Sequence, residues 1–253
     1  MVKAVDNSLH YVGTLIRHDL VLTVGAYLVD PYDHPNTTGD VFAFAPSRLR
    51  VLWFSPSWRL ERSEVRAVHV HERDPFVLYD HAYDLALLEL KTPFRESALP
   101  CIDLWNSLQP IQPGQKGIIP SYAGSHDSSE VNSIPLLVNG TLCSNSQKLV
   151  PDLTSGRFCT SQRPDEPSVI MRGAGVYTEA GGRLFVRGVE IKTFGVHGPH
   201  VYVKLEEPSV KTWLRKFVVR QGQDDDVATL SASDPDSDII WFPDDGATLA
   251  EHR

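Results

Sequence analysis

From Val12 to Pro208 the apolar residues come in short runs broken by Pro, Gly, Asn and Asp, among them VGTLI, LVLTVGAYLV, LRVLWFS, VRAVHVHE, DLALLEL, RLFVRGVEI and HVYVKL. Many of these runs are β-branched or alternate apolar with polar residues, which is the period of a pleated strand, so they predict strands rather than helices. Two adjacent all-β units fit the length. The period changes once, late in the chain. In PSVKTWLRKFVV, Pro208 to Val219, the residues Val210, Trp213, Leu214, Phe217 and Val218 fall at i, i+3, i+4, i+7 and i+8, the single apolar face of an amphipathic helix. Ser209 is placed to cap its first amides. Lys211, Arg215 and Lys216 read as the solvent side, where cations suit the later turns.

Composition narrows the classes. With 253 residues, 42% hydrophobic and 22% charged, the chain can bury a substantial core. No run of 18 apolar residues occurs, so no spanning helix is expected and no membrane partner. The formal charge of −8 is unevenly placed. Residues 221–253 hold nine acids, Asp224, Asp225, Asp226, Asp234, Asp236, Asp238, Asp244, Asp245 and Glu251, against Arg253 alone. Of the totals of 24 bases and 32 acids, 23 of each remain in residues 1–220. A neutral body with an acidic tail lacks the basic stripe that nucleic acids require, so nucleic-acid binding is set aside. Residues 221–253 carry too little apolar surface to offset their ordering entropy and read as a disordered tail after a domain spanning 1–220. Within that tail, Ile239 to Phe242 reads either as a strip packing on the parent domain or as a linear motif that folds on a partner.

Three segments, in order, resemble the chymotrypsin-like serine protease family over about residues 2 to 219. YVGTLIRHDLVLTVGAYLV, Tyr11 to Val29, resembles the family's C-G-G-T-L-I followed by V-L-T-A-A-H-C. YDLALLELKTPF, Tyr83 to Phe94, resembles the strand that bears the triad aspartate. FCTSQRPDEPSVIMRGAGVY, followed by GRLFVRGVEIKTFG and GPHVYVKL, resembles the stretch from G-D-S-G-G-P to P-G-V-Y-T. The resemblance implies an all-β fold of two antiparallel six-stranded β-barrels closed by a C-terminal helix, which the pattern at Pro208 to Val219 matches.

The resemblance also implies that the chemistry is gone. The general-base histidine position holds Ala26 and the nucleophilic serine position holds Gly173; Asp84 matches the aspartate, but that residue acts by orienting an imidazole that is absent here. In proteases of this kind, loss of nucleophile or base costs about a millionfold in turnover. Ser168 and His81 are the residues that a rewired site would have to use. The oxyanion-hole glycine is matched by Met171, and the acid that pairs with a new N-terminal ammonium by the cation Arg172. The specificity-pocket floor falls near Pro167, so no acid is placed there. No activation sequence and no signal peptide are read in MVKAVDNSLH.

The cysteines follow the same resemblance. Tyr11 and Tyr27 replace one bridged pair, and Val169 replaces one member of another. Cys143 and Cys159 match a bridge of the second barrel, worth roughly 3 kcal/mol by loop closure. Cys101 matches a cysteine that tethers the domain to an upstream chain, and its alternative is a buried free thiol. Such cysteine use implies an oxidising compartment, and Asn36 and Asn139 stand in glycosylation triplets, so the expected location is extracellular. His69, His71 and Glu72 in VHVHE have metal-compatible spacing, but no third ligand is visible and they read as solvent-facing strand residues. His197 and His200 fall on a substrate-site loop of the family. No metal or cofactor is expected.

Together these readings predict a secreted protease homologue that does not cleave but binds a protein partner, a protease, zymogen or substrate of an extracellular cascade such as innate immunity. The alternative is the C-terminal domain of a larger, active secreted endopeptidase whose triad lies elsewhere.

Overall fold

A computed structural model describes residues 2–4, 10–25, 28, 45–54, 59–71, 83–94, 99–105, 107–112, 115–122, 131–138, 156–161, 172–193 and 200–219. All the described strands and the helix lie in one compact unit, Met1–Val218. It is built from two antiparallel sheets and one C-terminal helix.

The first sheet contains β1 (Val2–Ala4), β2 (His10–Tyr11), β3 (Thr14–Arg17), β4 (Leu20–Thr23), β5 (Leu49–Phe54), β6 (Leu60–Val70) and β7 (Ala86–Leu90), in the spatial order β2-β1-β5-β6-β7-β4-β3. Its two ends, β2 and β3, are separated in the chain only by Val12 and Gly13. They are successive stretches of one bent segment, which pairs with β1 on one side and β4 on the other, so six positions close into a ring. The second sheet contains β8 (Cys101–Ile102), β9 (Lys116–Tyr122), β10 (Val131–Val138), β11 (Arg157–Ser161), β12 (Gly175–Ala180), β13 (Arg183–Thr193) and β14 (His200–Lys204). Its order is β12-β9-β10-β11-β14-β13-β8, and pairing of β12 with β13 closes six strands. The two six-membered rings are as the family resemblance implied, and among the described residues closure leaves no long free edge to aggregate. One strand departs from the expectation: β8, two residues long, adds to β13 in parallel at Phe185 and Val186.

Each ring buries its own core. In the first, Leu15, Val21, Val51, Val65, Leu88 and Leu90 interdigitate. Leu88 and Leu90 stand two apart on β7, the period that places alternate side chains on one face. In the second, Ile119, Ala174 and Val176 pack with Phe158 and Tyr202, whose rings stack 5.1 Å apart. A buried side chain of this size stabilises by roughly 1.5–3 kcal/mol through transfer alone.

The helix α1 (Pro208–Val218) follows the second barrel and docks on the first. Val210, Trp213 and Leu214 are buried as the spacing predicted. Trp213 meets the His71 ring at 5.0 Å, Phe217 meets His69 at 4.4 Å, and Arg17 of β3 donates to the Phe217 carbonyl, a cation on the helix C-terminus. Three expectations are corrected here. Ser209 lies inside the helix and its hydroxyl is buried without a hydrogen-bond partner, so it is not the cap. Lys211 is not on a solvent side: it is buried, with Nζ 3.4 Å from Asp103 Oδ2. Arg215 donates to the Leu104 carbonyl and lies 4.4 Å over the Trp105 ring. The connector between the barrels runs past these positions, and the helix draws cations onto it.

Asp103 is the knot of that connector. Its Oδ1 accepts the Ser107 amide and hydroxyl, both at 2.8 Å, and its Oδ2 accepts the Leu108 amide at 3.1 Å. Burial acts to raise its carboxyl, but the Leu108 and Ser107 amides, the Ser107 hydroxyl and Lys211 together hold it down at about 2. Further along, buried Arg187 donates to the Gln109 carbonyl at 2.7 Å and to Glu206 at 2.9 Å, fastening the connector to the second barrel.

Candidate functional site

Asp84 sits between β6 and β7, in a turn held by the Leu85 amide on the Tyr83 carbonyl at 2.7 Å and the His71 amide on the Leu85 carbonyl at 2.9 Å. The carboxylate is buried and its Oδ1 accepts the Gly25 N–H at 2.8 Å. A charge taken out of water is stable only when its oxygens are hydrogen-bonded, and a backbone amide supplies that here. The residue after Gly25 is Ala26, which cannot donate from a side chain. Asp84 therefore has a structural duty, holding the end of β4 to the start of β7, that does not need an imidazole.

The turn at Arg172 and Gly173 lies against Val12 and Thr23 of the first barrel. Gly173 has φ +87°, and its N–H donates to the Glu190 carbonyl at 2.8 Å. The Val12 amide donates to the Arg172 carbonyl at 3.1 Å, while Thr23 Oγ1 donates to the Val12 carbonyl at 2.8 Å. A Cβ at position 173 would come within 2.0 Å of the Val12 carbonyl oxygen and 2.7 Å of Thr23 Oγ1. The direction in which a nucleophile's side chain would project is filled by the backbone between β2 and β3. In this backbone position 173 is a contact between the barrels, open only to glycine. The contact continues at Thr14 Oγ1 and the Tyr177 hydroxyl, 3.1 Å apart, where a Cβ on Gly175 would collide with both. Burial raises the Tyr177 phenol, and the Thr14 hydrogen bond opposes that only in part.

Arg172 is half-buried beside Tyr11. Burial raises the Tyr11 phenol and the Arg172 charge works against the shift, so the turn carries a cation where the family resemblance implies an acid.

The histidines are placed differently from their sequence reading. His71 does not face solvent, and His69 is half-buried. His71 is buried, stacked on Tyr83 at 5.0 Å and tilted against Trp213 at 5.0 Å, while His69 rests on Phe217 with its Nε2 3.4 Å from Glu89 Oε1. Their shared strand face is the seat of the C-terminal helix. Among the described residues no group of three or more His, Cys, Asp and Glu is arranged to hold a metal ion. His200 opens β14 deep in the second barrel, with Nδ1 3.7 Å from Glu190 Oε1. Sequence reasoning passed over this pair. Its signal was an acid inside the otherwise apolar run VRGVEI, a charge that burial makes costly without a partner.

Cys101 is a free, half-buried thiol in β8. Cys159 is buried in β11. Ala26, Tyr27, Asn36, Glu72, His81, Asn139, Cys143, Pro167, Ser168, Val169, Met171 and His197 lie outside the described residues, as do residues 220–253. Among the described residues no helix is long and apolar enough to cross a membrane. Compared with known proteins, the sequence matches no family model and no curated protein.

Proposed function

We propose that residues 1–220 form a chymotrypsin-like serine protease homologue that has given up catalysis and serves as a protein-binding module in an extracellular proteolytic cascade. The three ordered sequence segments support the family, as do the two six-membered barrels with a terminal helix. The observation that carries the loss of catalysis is the 2.0 Å approach of a Cβ at position 173 to the Val12 carbonyl oxygen. A nucleophile there has neither a side chain nor room for one, and Ala26 supplies no base. Catalysis by this route needs both, with the nucleophile within hydrogen-bond reach of the base. The buried bridge between Cys143 and Cys159, the glycans at Asn36 and Asn139 and an extracellular location belong to the same proposal.

The free thiol of Cys101 favours a second reading, in which this is the C-terminal domain of a larger active endopeptidase and Cys101 joins it to an upstream segment. A fluorophosphonate probe applied beside an active trypsin-like control separates the two levels. We expect no labelling of this chain; labelling would refute the inactive reading. Non-reducing peptide mapping of secreted material is expected to find Cys101 joined to another peptide if the second reading holds, and an alkylatable thiol if it does not.

A further inference from the structure

Among the described residues, the outward face of β5, β6 and β7 carries charges that do not balance. Arg50, Arg62, Arg66 and Lys91 share it with two acids, Glu64 and Glu89. Both acids are already engaged. Glu64 accepts Lys91 Nζ at 2.8 Å, and Glu89 accepts Arg66 through Nε at 3.1 Å and Nη2 at 2.8 Å. Arg50 stands directly across from Glu64 in the β5–β6 register, and Arg62 across from Leu52. Their two guanidinium groups act on Glu64 through space, and the Lys91 hydrogen bond and charge pull on it first. Among the described residues two cations are left over on this face, whose parent domain, residues 1–220, is formally neutral.

The geometry of the surplus is specific. Arg50 and Arg62 are diagonal neighbours across an antiparallel pair, a separation of roughly 7–8 Å. Alternate residues of an extended chain repeat every ~7 Å. A strand with carboxylates on alternate residues can therefore place one carboxylate on each guanidinium, the fork that bidentate recognition favours. Half-buried Leu52 beside the arginines, and Leu60, 57% exposed at the start of β6, add apolar surface that a polypeptide can use and a sugar polyanion cannot.

We propose that the outer face of β5, β6 and β7 docks an extended acidic segment of a partner protein, with Arg50 and Arg62 as its two anchors. It rests on the binding-module reading only in taking a protein as the partner. None of the cleft residues takes part, so fluorophosphonate labelling would end that reading without touching this one.

The test is fluorescence anisotropy of a fluorescein-labelled peptide of alternating glutamate and valine, eight residues long, titrated with the full chain in 50 mM and 300 mM NaCl. Saturable binding is expected in low salt and weakening in high salt, since exposed charges are screened within about 10 Å at 0.1 M. Arg50→Glu with Arg62→Glu is expected to weaken it at least tenfold. Arg183→Glu, which reverses an exposed cation on the β12–β13 hairpin, is expected to stay within twofold, with circular dichroism melts confirming that both variants fold. Absence of binding, or equal loss in the Arg183 control, overturns the proposal. So does a heparin octasaccharide that binds through Arg50 and Arg62 while the peptide does not. Binding seen only after the acids of residues 221–253 are changed to their amides would assign the face to the chain's own segment instead, and overturn the partner.

Discussion

Asp84 and Gly173 are matched to two members of one reaction centre, yet the fold treats them in opposite ways. Asp84 keeps its carboxylate, buried and accepting the Gly25 amide at 2.8 Å. At Gly173 no side chain is kept, and the Val12 carbonyl stands where a Cβ would be. The Asp84 carboxylate satisfies backbone, and removing it would orphan a buried donor. A serine hydroxyl in a cleft satisfies nothing until substrate arrives. On the proposed reading that turnover has been given up, nothing in the packing defends such a hydroxyl.

The strongest way to break this comparison is to rebuild the missing half. Gly173→Ser puts a Cβ against the Val12 carbonyl at a positive φ and is expected to destabilise by about 3 kcal/mol, read from urea unfolding. Combined with Ala26→His it is expected to give no fluorophosphonate labelling. A stable, labelled double variant would refute the proposal that position 173 has no room for a nucleophile.

The other half is probed at Asp84. Asp84→Ala orphans the Gly25 amide and is expected to cost about 2 kcal/mol, whereas Asp84→Asn keeps an acceptor oxygen and is expected to cost less than half of that. Equal losses in the two variants would mean that the negative charge, and not the acceptor, is what the fold requires.

Asp103 sharpens the comparison, being another carboxylate held by backbone amides but with no claim to chemistry. Asp103→Asn is expected to cost about 1 kcal/mol at neutral pH. The sign of its pH dependence follows from the folded value of about 2 lying below the ordinary 3.8. The charged carboxylate stabilises fully above pH 4, and that contribution is lost as pH falls through the window from 3.8 to about 2. The stability gap between wild type and Asp103→Asn is therefore expected to shrink across that window, and a gap constant with pH would rule the charge out.

Much of this molecule could be read from its letters because the relevant signals are local. The period-two runs LRVLWF and DLALLEL became β5 and β7, and the change to a helical period at Pro208 became α1, with Val210, Trp213 and Leu214 buried as spaced. Cations on the helix were misread for the same reason that its face was read correctly. Spacing says which residues share a side, but not what lies against the other side. Lys211 is buried because Asp103, 108 residues earlier, comes up to meet it, and the VHVHE histidines are covered because the chain end returns to lie on them. Ser209 has the composition of a cap, but the helix starts one residue before it.

From sequence alone came the strand character of the short apolar runs, the helix and its apolar face, the neutral body with an acidic tail, and the absence of an imidazole at position 26. These depend on side-chain identity and on periods spanning a few residues. Which carboxylates became backbone anchors, and whether position 173 opens on a cleft or on a wall, was decided only by the tertiary fold. The wall is Val12, brought from the far end of the chain by barrel pairing, and a contact made across some 160 residues leaves no local trace.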